Sequence, residues 1–283
     1  MNRLLPTAVK RVVRRVLPRP LYDSYRRRRI AYLVAHYEPR QVEHVYGGTP
    51  LRLELADGLA EGWYDRDWAP LPELEMLKSN GLASGGLVFD IGAHHGVLAL
   101  MLADVVGSDG RVVAVEAEPH NARAAERNRD LNDADNIVVL HAAGAAESGS
   151  VRFTEGLNGR VAPSGGRWGT VMVPAVTIDD LSKRYGPPAC VVIDVEGFET
   201  SVLMGARQTI RDAQAMFLVE VHVGHGLDCA PQRIASCFGS EYRLLAAPGV
   251  SDGKPFRKYC ADSSINLGRF FLIAVPVQSQ TGE

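Results

Sequence analysis

Short β-rich runs alternate with helical patterns through most of this chain, and that alternation confines it to a parallel sheet covered by helices on both faces. Leu87–Ile91 reads as a buried strand, Val97–Val106 as a helix, residues 107–110 as a turn, Arg111–Glu116 as the next strand, Pro119–Leu131 as the next helix and Ile137–His141 as a third strand. The pattern resumes with strands over 190–194 and 215–222 and helices over 199–210 and 232–238. Two last runs, 242–246 and 270–275, have no recognisable helix between them. A parallel crossover needs one, so these two are expected to pair antiparallel at one edge of the sheet. Ahead of the sheet lie a strand over 51–55 and an apolar-periodic helix over 71–77, and the glycine-rich stretch 155–170 reads as a lid or a surface excursion. With 283 residues, 46% hydrophobic and 23% charged, the chain is long enough for one large α/β domain, and its composition excludes a disordered polymer or a membrane bundle. The expected division is a basic helical arm over 1–40, a lead-in cap over 41–80, the main domain over 81–277 and a tail over 278–283.

Residues 1–40 hold eleven Lys and Arg against two acids, so an arm of +9 precedes a body of −11. Val9, Val12, Val13 and Val16 recur at helical spacing opposite Lys10, Arg11, Arg14 and Arg15, which predicts a cationic amphipathic helix over 7–17, stopped by Pro18 and Pro20. A second periodic stretch, from Leu21 to Tyr37, carries the run Arg26 to Arg29. Such an arm suits either peripheral contact of residues 1–30 with an anionic membrane or a helical pair packed on the body with its arginines in solvent. The acidic body lacks a broad basic surface, so no nucleic acid is expected as a partner. No apolar run is long enough to span a bilayer. Cys190, Cys229, Cys237 and Cys260 form no CxxC pair, and no apolar core with a cleavage site follows the basic N-terminus. Reduced thiols and a cytoplasmic location are expected, with the inner face of the membrane as the surface open to the arm.

The densest signal is Val88-Phe-Asp-Ile-Gly-Ala-His-His-Gly96, a strand that ends in an acid and two glycines and then opens a helix. Open α/β sheets bind ligands at the carboxyl ends of their strands, and glycine there lets a ligand approach the backbone. A carboxylate at Asp90 is unfavourable beside a pyrophosphate and favourable beside the ammonium and sulfonium of S-adenosylmethionine. Glu116 ends the next strand, 24 residues after Gly92, where a carboxylate accepts hydrogen bonds from both hydroxyls of a ribose. The candidate cofactor contacts are Asp90, Gly92, Ala93, His94, Gly96, Glu116, Ala117, Ala143 and Asp194.

Four blocks go together: Phe89-Asp-Ile-Gly-Ala93, Ala114-Val-Glu-Ala-Glu-Pro119 with Asn128 downstream, Val176-Thr-Ile-Asp-Asp-Leu181, and Ile193-Asp-Val-Glu-Gly-Phe-Glu199 followed by Leu203-Met-Gly-Ala206. Over roughly Gly85 to His222 the chain resembles FkbM-type methyltransferases, a branch of the class I S-adenosylmethionine-dependent fold. The Asp194-to-Glu199 block is the specific element of the resemblance. The resemblance implies a Rossmann-like seven-stranded sheet with one antiparallel strand. It also implies S-adenosylmethionine as cofactor and methyl transfer, usually to oxygen, on sugars, polyketides or lipid-linked glycans. The chain departs from the family at His94 and His95, where Asn and a β-branched or aromatic residue are common, and at Val192, often Lys. No side-chain role of that Asn or Lys carries over. A family glutamate ahead of the first strand is displaced by the segment Trp63-Tyr-Asp-Arg-Asp-Trp68.

Methyl transfer is an in-line displacement, so the protein must hold the acceptor oxygen about 3–3.5 Å from the methyl carbon. An alcohol must also lose its proton to a nearby base. Asp194 and Glu196 follow the strand expected beside the first one, near the methyl donor. Asp194 suits a contact to the methionine portion or the acceptor, and Glu196 suits orienting the loop or accepting a proton. Glu199 reads as a helix-start charge. Glu220 and His222 share one face at the end of the next strand, with His222 the leading base or else a buried strand histidine. The catalytic candidates are therefore Asp194, Glu196, Glu220 and His222. Asp194, Glu220 and His222 carry ligand types that suit a divalent ion, but they have no fixed ligand spacing, and no metal is expected. His94 and His95 read as cofactor-loop or packing residues, and His120, His141 and His225 gain no role. The expected activity is O-methylation of a hydroxyl on a sugar, glycolipid or related natural product, in a pocket formed by residues 63–68, 155–170 and 248–268. A nucleic-acid methyltransferase, an NAD-dependent oxidoreductase and a binding module without turnover are the alternatives. The oligomeric state is left open.

Overall fold

A computed structural model describes residues 28–154, 156, 160–161, 170–212, 214–223, 230–248, 256–260 and 269–277. The arm helix expected over 7–17, most of the 155–170 stretch and of the 248–268 connector, the tail 278–283 and His225 lie outside those residues. Among the described residues, no helix is long and apolar enough to cross a membrane.

The chain enters the body through an antiparallel hairpin of β1 (Arg40–Tyr46) and β2 (Thr49–Leu55), in register from Arg40↔Leu55 to Tyr46↔Thr49. Along β2 the side chains alternate as a pleated strand requires, with Leu51, Leu53 and Leu55 buried and Arg52 exposed. Asp57 then caps α1 (Gly58–Tyr64) by accepting the amides of Leu59 and Ala60. α2 (Pro72–Ser79) opens on a proline, which has no amide to leave unsatisfied in the first turn.

The main sheet has eight strands. In spatial order they are β13 (Arg257–Lys258), β12 (Tyr242–Pro248), β14 (Arg269–Pro276), β11 (Met216–His222), β10 (Cys190–Ile193), β3 (Leu87–Ile91), β4 (Arg111–Glu116) and β5 (Ile137–His141). β11, β10, β3, β4 and β5 run parallel to one another. β14 is antiparallel to both β11 and β12, so a reversed strand sits just inside the edge region, as expected, and the short β13 runs reversed at the edge itself. The expected count of seven is exceeded by the two-residue β13, which pairs antiparallel with β12. The chain crosses over on α3 (Val97–Val106), α4 (Pro119–Leu131), α5 (Ile178–Tyr185), α6 (Glu199–Met204), α7 (Arg207–Arg211) and α8 (Pro231–Ala235).

α3 is apolar nearly all round because it is covered on both sides: its Val97, Leu100 and Leu102 share one core with Leu53 and Leu55 of the hairpin and with Val88, Val112 and Leu218 of the sheet. Residues of the lead-in therefore belong to the same core as the main domain. The opposite face of the sheet packs Phe89, Val191 and Phe217 against Leu181, Val202 and Ile210.

Two expectations change. The single helix over 199–210 is two short helices: the backbone leaves helical geometry at Gly205 and Ala206, where Gly205 packs so closely that a Cβ would lie 2.1 Å from the Ala145 carbonyl oxygen. Residues 143–176 also form a separate four-stranded sheet: β6 (Ala143–Gly144), β9 (Thr170–Val176), β7 (Gly149–Thr154) and β8 (Arg160–Val161), in that order.

Candidate active site

The turn after β3 sets the site. Gly92 has φ +95°, and a Cβ there would stand 1.9 Å from the Asp194 carbonyl oxygen, so only glycine permits the approach of β3's exit to β10's. The amides of Gly92 and Ala93 donate to the Val115 carbonyl at 2.8 and 3.2 Å, and the Asp194 amide donates to the Ile91 carbonyl at 2.9 Å. His94 takes a left-handed φ of +50°, and its amide reaches Glu116 Oε2 at 2.7 Å. Gly96 precedes α3 and packs against Ala125 of α4; it does not line the cavity described next.

A cavity of about 860 Å³ opens along the carboxyl ends of β4, β3, β10 and β11. Glu116, Asp90, Asp194 and Glu220 face it from four adjacent strands or their exits, a row that spans about 14 Å at the usual strand spacing. Gly92, Ala93, His94, Ala117 and Ala143 line it too, as does Glu196. Of the expected acceptor pocket, Trp63, Tyr64, Arg66, Asp67 and Trp68 reach the cavity wall, joined by Glu73, Arg269 and Phe271.

Asp90 is buried, and its Oδ2 has no hydrogen-bond partner among the described residues. Burial, reinforced by the charges of Asp194 and Glu116, pushes its carboxyl up to about 7. Burial likewise raises Glu116 to about 7, against the amides of Glu118 and His94 that bind its two oxygens at 2.7 Å each. Each of those oxygens keeps a second lone pair. An orphaned carboxylate oxygen, a glycine cradle and a second buried acid on the neighbouring strand are what a cationic nucleoside needs, so the residues present fit S-adenosylmethionine.

On the other side of β3 the acids crowd around His222. Its Nδ1 donates to Glu199 Oε1 at 2.9 Å, while Nε2 stands 3.7 Å from each of Asp194, Glu196 and Glu220. Burial disfavours the imidazolium, but the Glu199 hydrogen bond and the charges of Asp194, Glu196 and Glu220 outweigh it and lift His222 to about 9. Loss of water around its buried Oδ1 raises Asp194, although the side chain as a whole is partly exposed to the cavity; the His222 charge opposes the rise and Glu196 adds to it. Glu220 is raised to about 8 by burial and by Asp194, against Arg269, whose Nε pairs with it, and His222.

His222 is buried and does not line the cavity, whereas Asp194, Glu196 and Glu220 do. Glu199 opens α6, as expected of a helix-start charge, and is in addition fully buried as the partner of His222. Arg269 carries no motif, and only the antiparallel pairing of β14, which sets it opposite His222, brings it to the site. Tyr64, for which no motif speaks individually, places its hydroxyl 2.9 Å from His94 Nδ1.

A family model described as the methyltransferase FkbM domain matches residues 90–242, more than half of the chain. None of the curated proteins matches the sequence. Among solved structures, an FkbM methyltransferase from Methylobacillus flagellatus KT is 20% identical with a TM-score of 0.44, over 67% of this chain and 43% of that one. The present chain thus spans less than half of that relative's length. Precorrin-6y C5,15-methyltransferase from Geobacter metallireducens GS-15 is 16% identical with a TM-score of 0.44, covering 72% of this chain and 87% of that one. Fibrillarin from Aeropyrum pernix, solved with S-adenosyl-L-methionine, is 16% identical with a TM-score of 0.42 and covers 86% of each chain. Likenesses this distant carry no residue assignment.

Proposed function

Because the chain belongs to the FkbM methyltransferase family, we propose that it transfers a methyl group from S-adenosylmethionine to a hydroxyl oxygen of a sugar, glycolipid or related natural product. The observation that carries this reading is the row of carboxylates on adjacent strand ends, three of them buried, with the orphaned Asp90 oxygen within it. When bound, S-adenosylmethionine supplies an electrophilic methyl group on a sulfonium.

Glu116, held rigid by the amides of His94 and Glu118, presents its remaining lone pairs to ribose hydroxyls. Asp90 offers a localised negative charge to the cationic part of the cofactor. Gly92, Ala93 and His94 shape the backbone floor, and Ala117 and Ala143 keep the nucleoside wall low. Asp194 faces the cavity at the strand end beside Gly92, and its raised proton affinity suits it to receive the proton of an acceptor hydroxyl. Glu220, pinned by Arg269, and Glu196 complete the wall on that side. His222 and Glu199 are positioning residues that set the charge felt by Asp194. Trp63 and Trp68 supply flat apolar faces and Arg66 and Asp67 polar edges, the mixture a sugar ring meets well. The basic arm over 1–40 supports a lipid-linked acceptor held at an anionic surface.

The test has two arms. Calorimetric titration with S-adenosylhomocysteine should show binding that Glu116→Gln weakens by about tenfold to hundredfold, the worth of hydrogen bonds to a charged group. Lipid and metabolite profiling of a deletion strain should show a species lighter by one methylene, which the purified protein and S-adenosylmethionine convert to the heavier form. NAD binding in place of S-adenosylhomocysteine, or an extract unchanged in mass, overturns the reading.

A further inference from the structure

Outside the cavity, three side chains from three separate segments converge on one point. Asp57 follows β2, His95 lies in the turn after β3, and His120 sits in the first turn of α4. Their ligand atoms all lie within 4.8 Å of one another. Asp57 Oδ1 is spent on the α1 cap, at 2.8 Å from the Leu59 amide and 2.9 Å from the Ala60 amide, and this aims Oδ2 at the two imidazoles. The Nε2 of His120 stands 3.1 Å from Oδ2, and the Nε2 of His95 stands 3.2 Å from it.

His95 is the informative member. It is fully buried, and neither ring nitrogen has a hydrogen-bond partner among the described residues, although its Nε2 is within reach of Oδ2. The two atoms are close but not aligned as donor and acceptor. A buried imidazole left this way costs free energy, about 1–3 kcal/mol for an unmade bond. A shared electrophile between the atoms removes the part of that cost that falls on Nε2. With bonds of about 2.0–2.1 Å, two ligand atoms of a tetrahedral ion stand roughly 3.3 Å apart, close to both spacings observed.

We propose that Asp57, His95 and His120 form a binding site for one divalent transition ion of the zinc type, independent of the methyl-transfer cavity. Two imidazoles and one carboxylate match that class of ion better than magnesium or calcium, which prefer all-oxygen shells. The hydrogen-bonded Oδ1 supplies the outer-shell support that ligating carboxylates commonly have. His120, 18% exposed, leaves a route for the ion and for a water as fourth ligand. The ion would pin the lead-in hairpin to the turn that carries His94, whose ring stacks on His95 at 4.4 Å. The other three-residue group, Asp194, Glu220 and His222, is less suited, because Arg269 already occupies Glu220 and Glu199 holds a proton on His222.

The test uses the full chain, stripped with a chelator and titrated with Zn²⁺ in a calorimeter. One equivalent should bind, and the dissociation constant should rise about a hundredfold or more in His120→Ala and in Asp57→Asn, with the circular dichroism unchanged. Glu220→Gln should bind as the parent does. Co²⁺ added to the stripped parent should give the intense visible bands of a tetrahedral ion, a readout that needs no variant to fold. Absence of stoichiometric binding, absence of those bands, equal affinity in His120→Ala, or loss in Glu220→Gln in its place overturns the proposal.

Discussion

Which carboxylate takes a proton is decided by how charge is shared around His222. Held protonated to about 9, it lies 3.7 Å from Asp194, Glu196 and Glu220 and serves as their counter-ion. This division can be tested from both ends. Asp194→Asn removes the proposed base, so kcat should fall by roughly 10²–10⁴, the usual worth of general-base catalysis, in a single-turnover methyl-transfer assay. A fall of less than threefold would assign the proton elsewhere. Glu199→Gln removes the anion at Nδ1, so His222 should lose its proton nearer neutrality. The cluster then lacks its cation, Asp194 holds its proton to higher pH, and the rising limb of the pH–kcat profile should move upward. An unmoved limb with a normally folded protein would show that Glu199 only packs.

Elements whose own period and turn residues agree are legible in the amino-acid sequence. Val97–Val106 is an almost wholly apolar run and Pro119–Leu131 carries a buried stripe of alanines, each with a Gly or Pro boundary and a strand on either side, and they form as expected. Glu116 is legible as a cavity-lining residue because it ends the strand next to the first one. The split of 199–210 is not. It coincides with contacts between distant segments: Gly205 against Ala145, and Asp179 of α5 accepting the Gln208 and Thr209 amides of α7 at 3.0 and 2.9 Å. The cluster of Asp57, His95 and His120 is hidden for the same reason, since no local spacing relates the three. The sheet of β6 to β9 escapes a sequence reading because β6 and β8 are two residues each, too short to show a period. The break at Gly205 gives an element-level prediction. Gly205→Ala forces a Cβ into a backbone oxygen and should destabilise the protein by about 3 kcal/mol or more, since backbone must move. Gly58→Ala, in open space at the start of α1, should change stability by less than about 1 kcal/mol. Equal urea midpoints for the two variants would contradict the contact.

For the molecule as a whole, the buried acids make stability depend on pH in an unusual direction. Asp90 and Glu116 are raised to about 7 and Glu220 to about 8, so the folded state holds their protons where the unfolded chain has released them. Each therefore contributes stability that is fully present below the ordinary carboxylate range and is lost as pH rises through the folded value. His222, raised to about 9, acts in the same sense, with its contribution lost between the ordinary histidine range and that value. Asp57, Asp65, Asp67 and Asp180 are lowered, and their contributions fade only in acid, as pH falls through values below the ordinary range. Between pH 6 and pH 8.5 the raised groups act alone among these, and each raised carboxyl loses about 1–3 kcal/mol over that interval. The ligand-free protein should accordingly melt lower at pH 8.5 than at pH 6, and Asp90→Asn, which has no charge to acquire, should flatten the fall. A sulfonium beside Asp90 favours the ionised form, so S-adenosylmethionine should raise Tm more at pH 8.5 than at pH 6, and S-adenosylhomocysteine, which lacks that charge, should show less of this difference. Scanning calorimetry at the two pH values, with and without each ligand, checks all three. A Tm that stays level or climbs across the interval would mean that the row of acids along the strand ends is already neutralised, and the electrostatic basis for binding a cationic cofactor there would go with it.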